Sequence, residues 1–412
     1  MNRDEGFGLF ARFGVELEYM IVDAASLDVQ PIADELLRSF AGEYVSDVEL
    51  DGIALSNELV LHVVELKTNG PTPRLDGCGA RFQQAVGEVN QRLQPFGARL
   101  MPTAMHPWMD PLQETRLWPH DYGPVYQAFD RVFSCRGHGW SNLQSVHLNL
   151  PFADDGEFAR LHAAVRLLLP IMPALAASSP IVGGQTTGMV DNRLEFYRGN
   201  ARRVPSVTGR VIPERVYSRQ AYEREILERI YADLAPHDPE GVLRHEWVNA
   251  RGAIARFERN TIEIRVIDVQ ECPLADLAIA ALIAAVLRAM AAERWADLPA
   301  QQAWPEARLH EILLATMSDG EQAVLADRAY LSVFGEETAG RCTAGELWQA
   351  LAAALAPGLE EWRAPLRVIL EQGPLARRIL RRAGPKPSRA HLGELFGELC
   401  DCLAAGRVFT AS

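Results

Sequence analysis

The chain has 412 residues, 48% of them apolar and 23% charged, with a net charge of −13. This is the composition of an ordinary folded protein with room for a sizeable core, and no segment reads as disordered. The acidic balance argues against nucleic acid as the main partner, because phosphate backbones are held by Lys and Arg, but it leaves a nucleotide substrate open, since magnesium can neutralise triphosphate in an acidic cleft.

Met1 to Leu9 carries Arg3, Asp4 and Glu5 and no apolar run, so it is not expected to be a secretory signal. Leu274–Ala291 is long and apolar but keeps Asp276 and Arg288, which predicts a buried helix and not a membrane span. Six cysteines are scattered, and only Cys400 and Cys402 are close, so free thiols and a reducing cytoplasm are expected.

Six segments predict strands: Arg12–Val22, Glu58–Thr68, Ala98–Met105, Leu143–Leu150, Asn192–Tyr197 and Ala255–Asp268. Leu75–Gln94, Glu157–Leu169, Arg219–Ala235 and Ala275–Arg294 predict helices. After about Pro299 the chain turns rich in Ala, Leu, Glu and Arg, with helices predicted over Glu321–Ala329, Ala344–Leu355, Leu359–Leu370 and Arg389–Ala404. The connections are too irregular for a β-α-β series, so the expectation is an α+β fold with a largely antiparallel or mixed sheet. Residues 1–295 are expected to form the catalytic unit, and 296–412 a helical region packed on the same domain.

The polar residues that interrupt the strands carry the chemistry. Side chains alternate along a strand, so Glu16 and Glu18 share one face, opposite Val15, Leu17 and Tyr19. Two carboxylates side by side suit a solvated edge or a cation between them. Glu65 sits in an apolar strand, where a lone carboxylate is costly to bury; Glu58, seven residues earlier, joins it only across a bulge or bend. Ser145, His147 and Asn149 share a face, as a structural histidine or a metal or phosphate contact. Thr261, Glu263 and Arg265 share another, as an ion pair or as a cation ligand beside a phosphate-binding guanidinium. The turn-rich run Ser178–Gly188 leads to Arg193, and Arg198, Arg202, Arg203, Arg210 and Arg215 form a basic stretch after it, either a solvated loop or a site for anionic groups. No P-loop, G-x-S-x-G, H-E-x-x-H or G-x-G-x-x-G is present.

Taken in order, GVELEYMIVD (14–23), ELVLHVVELKTNGP (58–71), SVHLNL (145–150), ALAASSPIVGGQTTGMVDNR (174–193) and NTIEIRVIDVQ (260–270) resemble the glutamate–cysteine ligase-like carboxylate–amine ligases of the glutamine synthetase superfamily. The resemblance spans roughly residues 12 to 290. It implies a curved, mainly antiparallel sheet whose concave face holds the site, with ATP and Mg2+ as cofactors. ATP would phosphorylate a carboxylate, typically the γ-carboxylate of glutamate, and an amine would displace phosphate; with cysteine as the amine this is a step of glutathione biosynthesis. Glu16, Glu18, Glu65, His147 and Glu263 match magnesium ligands or their partners, and Glu58 matches a further acidic ligand in some relatives. Arg265 matches a contact to the transferring phosphate, Arg193 a substrate-carboxylate or phosphate contact, and Ser145 and Thr187 are expected to touch the nucleotide. Partners are expected to be a small carboxylate and an amine, with no nucleic acid and no membrane; a homo-oligomer stays open. Two other readings share the motifs: a phosphotransferase that forms no amide, and a nucleotide or metal sensor that has lost catalysis.

Overall fold

The computed structural model describes residues 6–336 and 340–411. Its strands run in chain order as β1 (Gly14–Asp23), β2 (Asp47–Leu50), β3 (Ile53–Asn57), β4 (Val63–Thr68), β5 (Ala98–Met101), β6 (Ser145–Pro151), the short hairpin β7 (Ile181–Val182) and β8 (Gln185–Thr186), then β9 (Ala253–Arg256) and β10 (Thr261–Asp268). Eight of these form one sheet in the order β2-β3-β4-β1-β6-β10-β9, with β5 beside the far half of β1. Every pairing in it is antiparallel. The fold is therefore α+β with a mainly antiparallel sheet and flanking helices, as the strand pattern implies.

The alternation along β1 decides which way the sheet faces. Val15, Leu17, Tyr19 and Ile21 are fully buried and join Leu66, Leu148, Ile262 and Ile264 in one apolar face. Against that face packs the helix Pro273–Ala291, and the Tyr19 hydroxyl donates to Asp276 at 3.4 Å across the contact. This helix is 83% buried over its most apolar stretch and is the spine of the core. Helices Cys78–Leu93 and Asp155–Leu168 flank it. The polar residues of the same strands are left on the opposite face.

The last third joins the same core. Trp348 donates its indole N–H to the Ile171 carbonyl at 2.8 Å, and the Tyr330 hydroxyl donates to Leu167 at 2.7 Å. Helices Leu375–Ala383 and Arg389–Ala405 close a second apolar cluster with Met20, Val22 and Met101, at the far end of β1.

Several predicted elements are corrected. Glu58–Thr68 is not one strand: the chain reverses at residues 58–62, and Val63–Thr68 joins the sheet between β3 and β1. Ala98–Met105 ends at Met101, and Ala255–Asp268 is the β9–β10 hairpin, turned at residues 257–260 with Asn260 at φ 49°. Asn192–Tyr197 is a helix, because the Asp191 carboxylate accepts from the Leu194 N–H and caps it. In Glu321–Ala329, Val324–Leu325 pairs with Cys342–Thr343, and Asp327 then caps the short helix Arg328–Ser332. Leu359–Leu370 becomes Arg363–Gln372, and helices Glu306–Asp319 and Leu375–Ala383 had not been predicted.

Gly252 gives this architecture a sensitive point. Its carbonyl accepts the Arg265 N–H at 2.8 Å, and a Cβ built there would lie 2.5 Å from Val266 Cγ1, 2.9 Å from Val211 Cγ1 and 3.1 Å from Leu169 Cδ1. Those neighbours are packed and have nowhere to go. Gly252→Ala is expected to cost about 1–3 kcal/mol and to lower turnover through the displaced Arg265, measured as a lower urea midpoint together with kcat. A midpoint equal to wild type would refute the packing argument.

Candidate active site

The polar face of β1, β4, β6 and β10 floors a cavity of about 690 Å3. Strand register brings its side chains together. Glu16 lies opposite His147 on one side and Lys67 on the other; Glu18 lies opposite Glu65, and Glu263 opposite Asn149. The reversal at residues 58–62 returns Glu58 to the same side as Glu65, which a regular strand would not do.

Two groups of possible cation ligands result. Ligand atoms of Glu16, Glu65 and His147 lie within 4.8 Å of one another, and so do those of Glu18, Glu58 and Glu65. Glu65 belongs to both. Its neighbours compensate it only in part: Lys67 Nζ contacts its Oε1 at 2.7 Å, and the Ser56 hydroxyl donates to the same oxygen at 3.0 Å. Burial, and then the charge of Glu16, push the Glu65 carboxyl up to about 7. Glu58 is raised well above the usual carboxylate range by burial and by the charges of Glu18 and Glu65. Like charges held this close are relieved by taking up a proton or a cation. An oxygen-rich set with one imidazole at its edge fits magnesium, a hard ion that takes carboxylates and leaves positions for phosphate oxygens.

His147 is tied into the cluster at both nitrogens. Its Nδ1 donates to Glu16 Oε2 at 2.8 Å, and its Nε2 lies 3.0 Å from the Ser145 hydroxyl. Ser145 donates from both N–H and Oγ–H to Glu18 Oε2, at 2.7 and 3.1 Å. Burial disfavours the imidazolium, but the hydrogen bond to Glu16 and the charges of Glu18, Glu16 and Glu263 outweigh it and raise its pKa to about 9. Burial likewise opposes the charge of Glu16, but its contacts with His147 and the Lys67 charge hold it well below the carboxylate range. His147 is thus hydrogen-bonded to Glu16 and faces its charge.

The cationic half begins at Glu263, which is 2% exposed. Its Oε1 accepts from Arg265 Nε at 2.6 Å and its Oε2 from Arg256 Nη1 at 3.0 Å. Arg265 is thus held through Nε, and it lines the cavity. Arg193 donates through Nε to Asp268 at 2.5 Å and through Nη2 to the Arg265 carbonyl at 3.1 Å. It is thus mainly a buried strut under β10 with one end in the cavity.

Of the residues expected from sequence, Glu16, Glu18, Glu58, Glu65, Ser145, His147, Arg193, Glu263 and Arg265 all line this cavity. Thr187 does not. Its hydroxyl accepts from Asn192 Nδ2 at 2.8 Å and from the Met189 N–H at 3.2 Å, so it shapes the loop before the Asn192–Tyr197 helix. The basic stretch is also elsewhere: Arg198 pairs with Glu195, Arg203 donates to the Arg131 and Val132 carbonyls, and Arg215 donates to Ala303. The cavity's further cations are Lys67, Arg256 and Arg259. Lys67 was legible, two residues after Glu65 on the same face; Arg256 and Arg259 were hidden by reading β9 and β10 as one strand. A wall of Tyr126, Phe129, Trp140 and Trp247 had no sequence signal, since its parts lie far apart in the chain.

The model of glutamate–cysteine ligase family 2 matches residues 12–401. The chain belongs to this family. Within glutamate–cysteine ligase family 2, a protein of Archaeoglobus fulgidus that carries no functional name is 35% identical over 399 residues, 96% of this chain and 99% of that one. A Clavibacter michiganensis protein provisionally named glutamate–cysteine ligase 2 is 25% identical over 300 residues, 71% of this chain and 70% of that one. The crystal structure of a Francisella tularensis glutamate–cysteine ligase in complex with AMP superposes with a TM-score of 0.62 at 13% identity, over 97% of this chain and 90% of that one, which shows a shared fold. Family membership supports a carboxylate–amine ligase of the glutamate–cysteine ligase kind.

Proposed function

We propose that this protein is an ATP- and Mg2+-dependent carboxylate–amine ligase that activates a small carboxylate, glutamate first among candidates, and joins it to an amine. One observation carries the reading: two groups of possible cation ligands, Glu16, Glu65 and His147 in one and Glu18, Glu58 and Glu65 in the other, share Glu65 over the sheet face that also carries the Glu263–Arg265 pair. The nucleotide named in the Francisella tularensis complex supports ATP as the activating substrate.

Glu18, Glu58 and Glu65 would hold magnesium, with Glu16 set beside them by His147. When bound, the ion neutralises phosphate charge and orients the terminal phosphate for transfer. The chain's own residues supply the rest. Arg265, immobilised by Glu263, presents its free edge where charge grows on the transferring phosphate oxygens. Arg193, braced by Asp268, fixes the strand that carries Arg265 and offers its remaining end to an anionic group of the substrate. The fixed sheet holds these groups in place before substrate arrives, so little reorganisation remains for the reaction itself.

The test is turnover with ATP, Mg2+, glutamate and a panel of amines, following ADP, phosphate and amide together. Amide and phosphate in equal amounts, with no turnover in EDTA, are the expected result. Absence of ADP with every acid and amine pair, or a stable phosphorylated product without amide, would refute it.

A further inference from the structure

Besides the carboxylates, the cavity is lined by a wall of different chemistry. Helix Gly123–Phe133 supplies Tyr126 and Phe129, the short helix His138–Ser141 supplies Trp140, and the segment before β9 supplies Trp247. Phe129 joins them, with its ring centroid 5.3 Å from Trp140 and 5.6 Å from Trp247. The outer rings are backed by others: Phe133 stacks on Trp140 and His245 on Trp247, each at 5.3 Å. The wall is thus fixed by packing, yet its rings are only partly buried. Trp140 Nε1 already donates to the Asn200 carbonyl at 3.0 Å, and the Tyr126 hydroxyl accepts from Asn57 at 3.2 Å. What the wall offers a ligand is chiefly flat apolar surface.

The charges of the cavity narrow the ligand further. Lys67 is paired with Glu65, Arg193 with Asp268, and Arg256 and Arg265 both with Glu263. Among the described residues, Arg259 is the lining arginine or lysine without an ion pair, and it is exposed on the β9–β10 turn at the cavity edge. An amino acid acceptor brings its own carboxylate, in addition to those of the acid substrate and the phosphates. With Arg265 turned to the phosphate and Arg193 to the acid substrate, Arg259 is left for an acceptor carboxylate, and its exposure lets solvent screen that pairing. An amine without a carboxylate needs no extra cation and gains from the aromatic wall.

We propose that the acceptor is a primary amine with an aromatic or bulky apolar group and no carboxylate, its apolar part resting on Tyr126, Phe129, Trp140 and Trp247. This rests on the ligase reading above and names its second substrate. The nitrogen of the neutral amine forms the C–N bond at the phosphorylated carboxyl carbon. The C–O bond to phosphate breaks, phosphate leaves with that electron pair, and the nitrogen releases one proton to solvent.

The experiment compares phenethylamine and tryptamine with cysteine and glycine, using the full chain with ATP, Mg2+ and glutamate. The arylalkyl amines are expected to exceed cysteine in kcat/KM by about tenfold or more. Phe129→Ala, and Phe129→Leu as the variant that retains bulk without the ring, are expected to raise KM for phenethylamine by about tenfold and KM for ATP by less than about threefold. Preference for cysteine, or a variant effect on ATP in place of the amine, would overturn the proposal; the second result would assign the wall to adenine. Hydroxylamine in place of the amine separates the two levels of the argument. A glutamyl hydroxamate with cysteine preferred sinks only the acceptor assignment, whereas no hydroxamate sinks the ligase reading and this inference with it.

Discussion

Glu65→Gln is expected to lower kcat/KM by about a thousandfold or more while leaving the metal-free protein as stable as wild type, or more so. The two effects have one cause. Glu65 is 6% exposed and faces Glu18 directly across β1 and β4, with Glu58 and Glu16 close by. Burial, and then the charge of Glu16, raise the folded pKa of Glu65 from an ordinary 4.5 to about 7. A raised carboxyl pKa means that the folded state binds more protons than the unfolded one. The stability tied to it is present below about pH 4.5 and is lost as pH climbs through about 7. Removing the charge removes that loss, so the variant's metal-free urea midpoint should fall less between pH 5 and pH 8 than that of wild type. It should also gain little thermal stability from Mg2+ and ATP, because a shared ligand is gone. Glu263→Gln is the informative contrast. It leaves Arg256 and Arg265 without their common acceptor, so it should lose both turnover and about 3–5 kcal/mol of stability. If Glu65→Gln retained turnover within tenfold of wild type, the cation site would not be where the two groups overlap.

The contrast between these residues also explains what the sequence made legible. Period-two alternation placed Glu16 with Glu18, Ser145 with His147, and Glu263 with Arg265, because each pair lies within one strand whose other face is apolar. Alternation is silent about turns. It put Glu58 out of phase with Glu65, since the reversal at residues 58–62 leaves no mark in hydrophobic period. It also fused β9 with β10, since Phe257-Glu258-Arg259-Asn260 carries neither glycine nor proline to announce a hairpin. Asn192–Tyr197 is short enough to satisfy either period, and the Asp191 cap decided for helix. The arginine-rich loop stayed open between two readings for a different reason: net charge along a chain says nothing about which carbonyl or carboxylate each guanidinium will meet. The aromatic wall is assembled from three separate segments and exists only once the chain has folded.

Arg378→Met is expected to be the most destabilising single substitution outside the site, at about 3–5 kcal/mol. Arg378 and Glu271 are both fully buried. Arg378 Nη1 donates to Glu271 Oε1 at 2.5 Å and also to the Phe409 carbonyl, while Nε donates to the Gly373 carbonyl at 3.3 Å. Glu271 in turn accepts the Phe409 N–H at 3.0 Å. One guanidinium therefore joins the Leu375–Ala383 helix, the C-terminal tail and the link from β10 to the core helix. Methionine fills much of the volume but leaves the Glu271 carboxylate buried without its counter-charge. Arg378→Met with Glu271→Leu removes both charges and should recover part of the loss, which measures the coupling directly. Urea midpoints of the two single variants and the double variant give the cycle, and protease cleavage near Phe409 reports release of the tail. A single-variant loss below about 1 kcal/mol would show the pair to be ornamental. A large loss has a consequence for the site, because Glu271 follows Asp268 by three residues. Asp268 braces Arg193, which in turn holds the Arg265 carbonyl. The tail would then support the strand that carries the site's central guanidinium, and Arg378→Met should lower kcat before the protein unfolds.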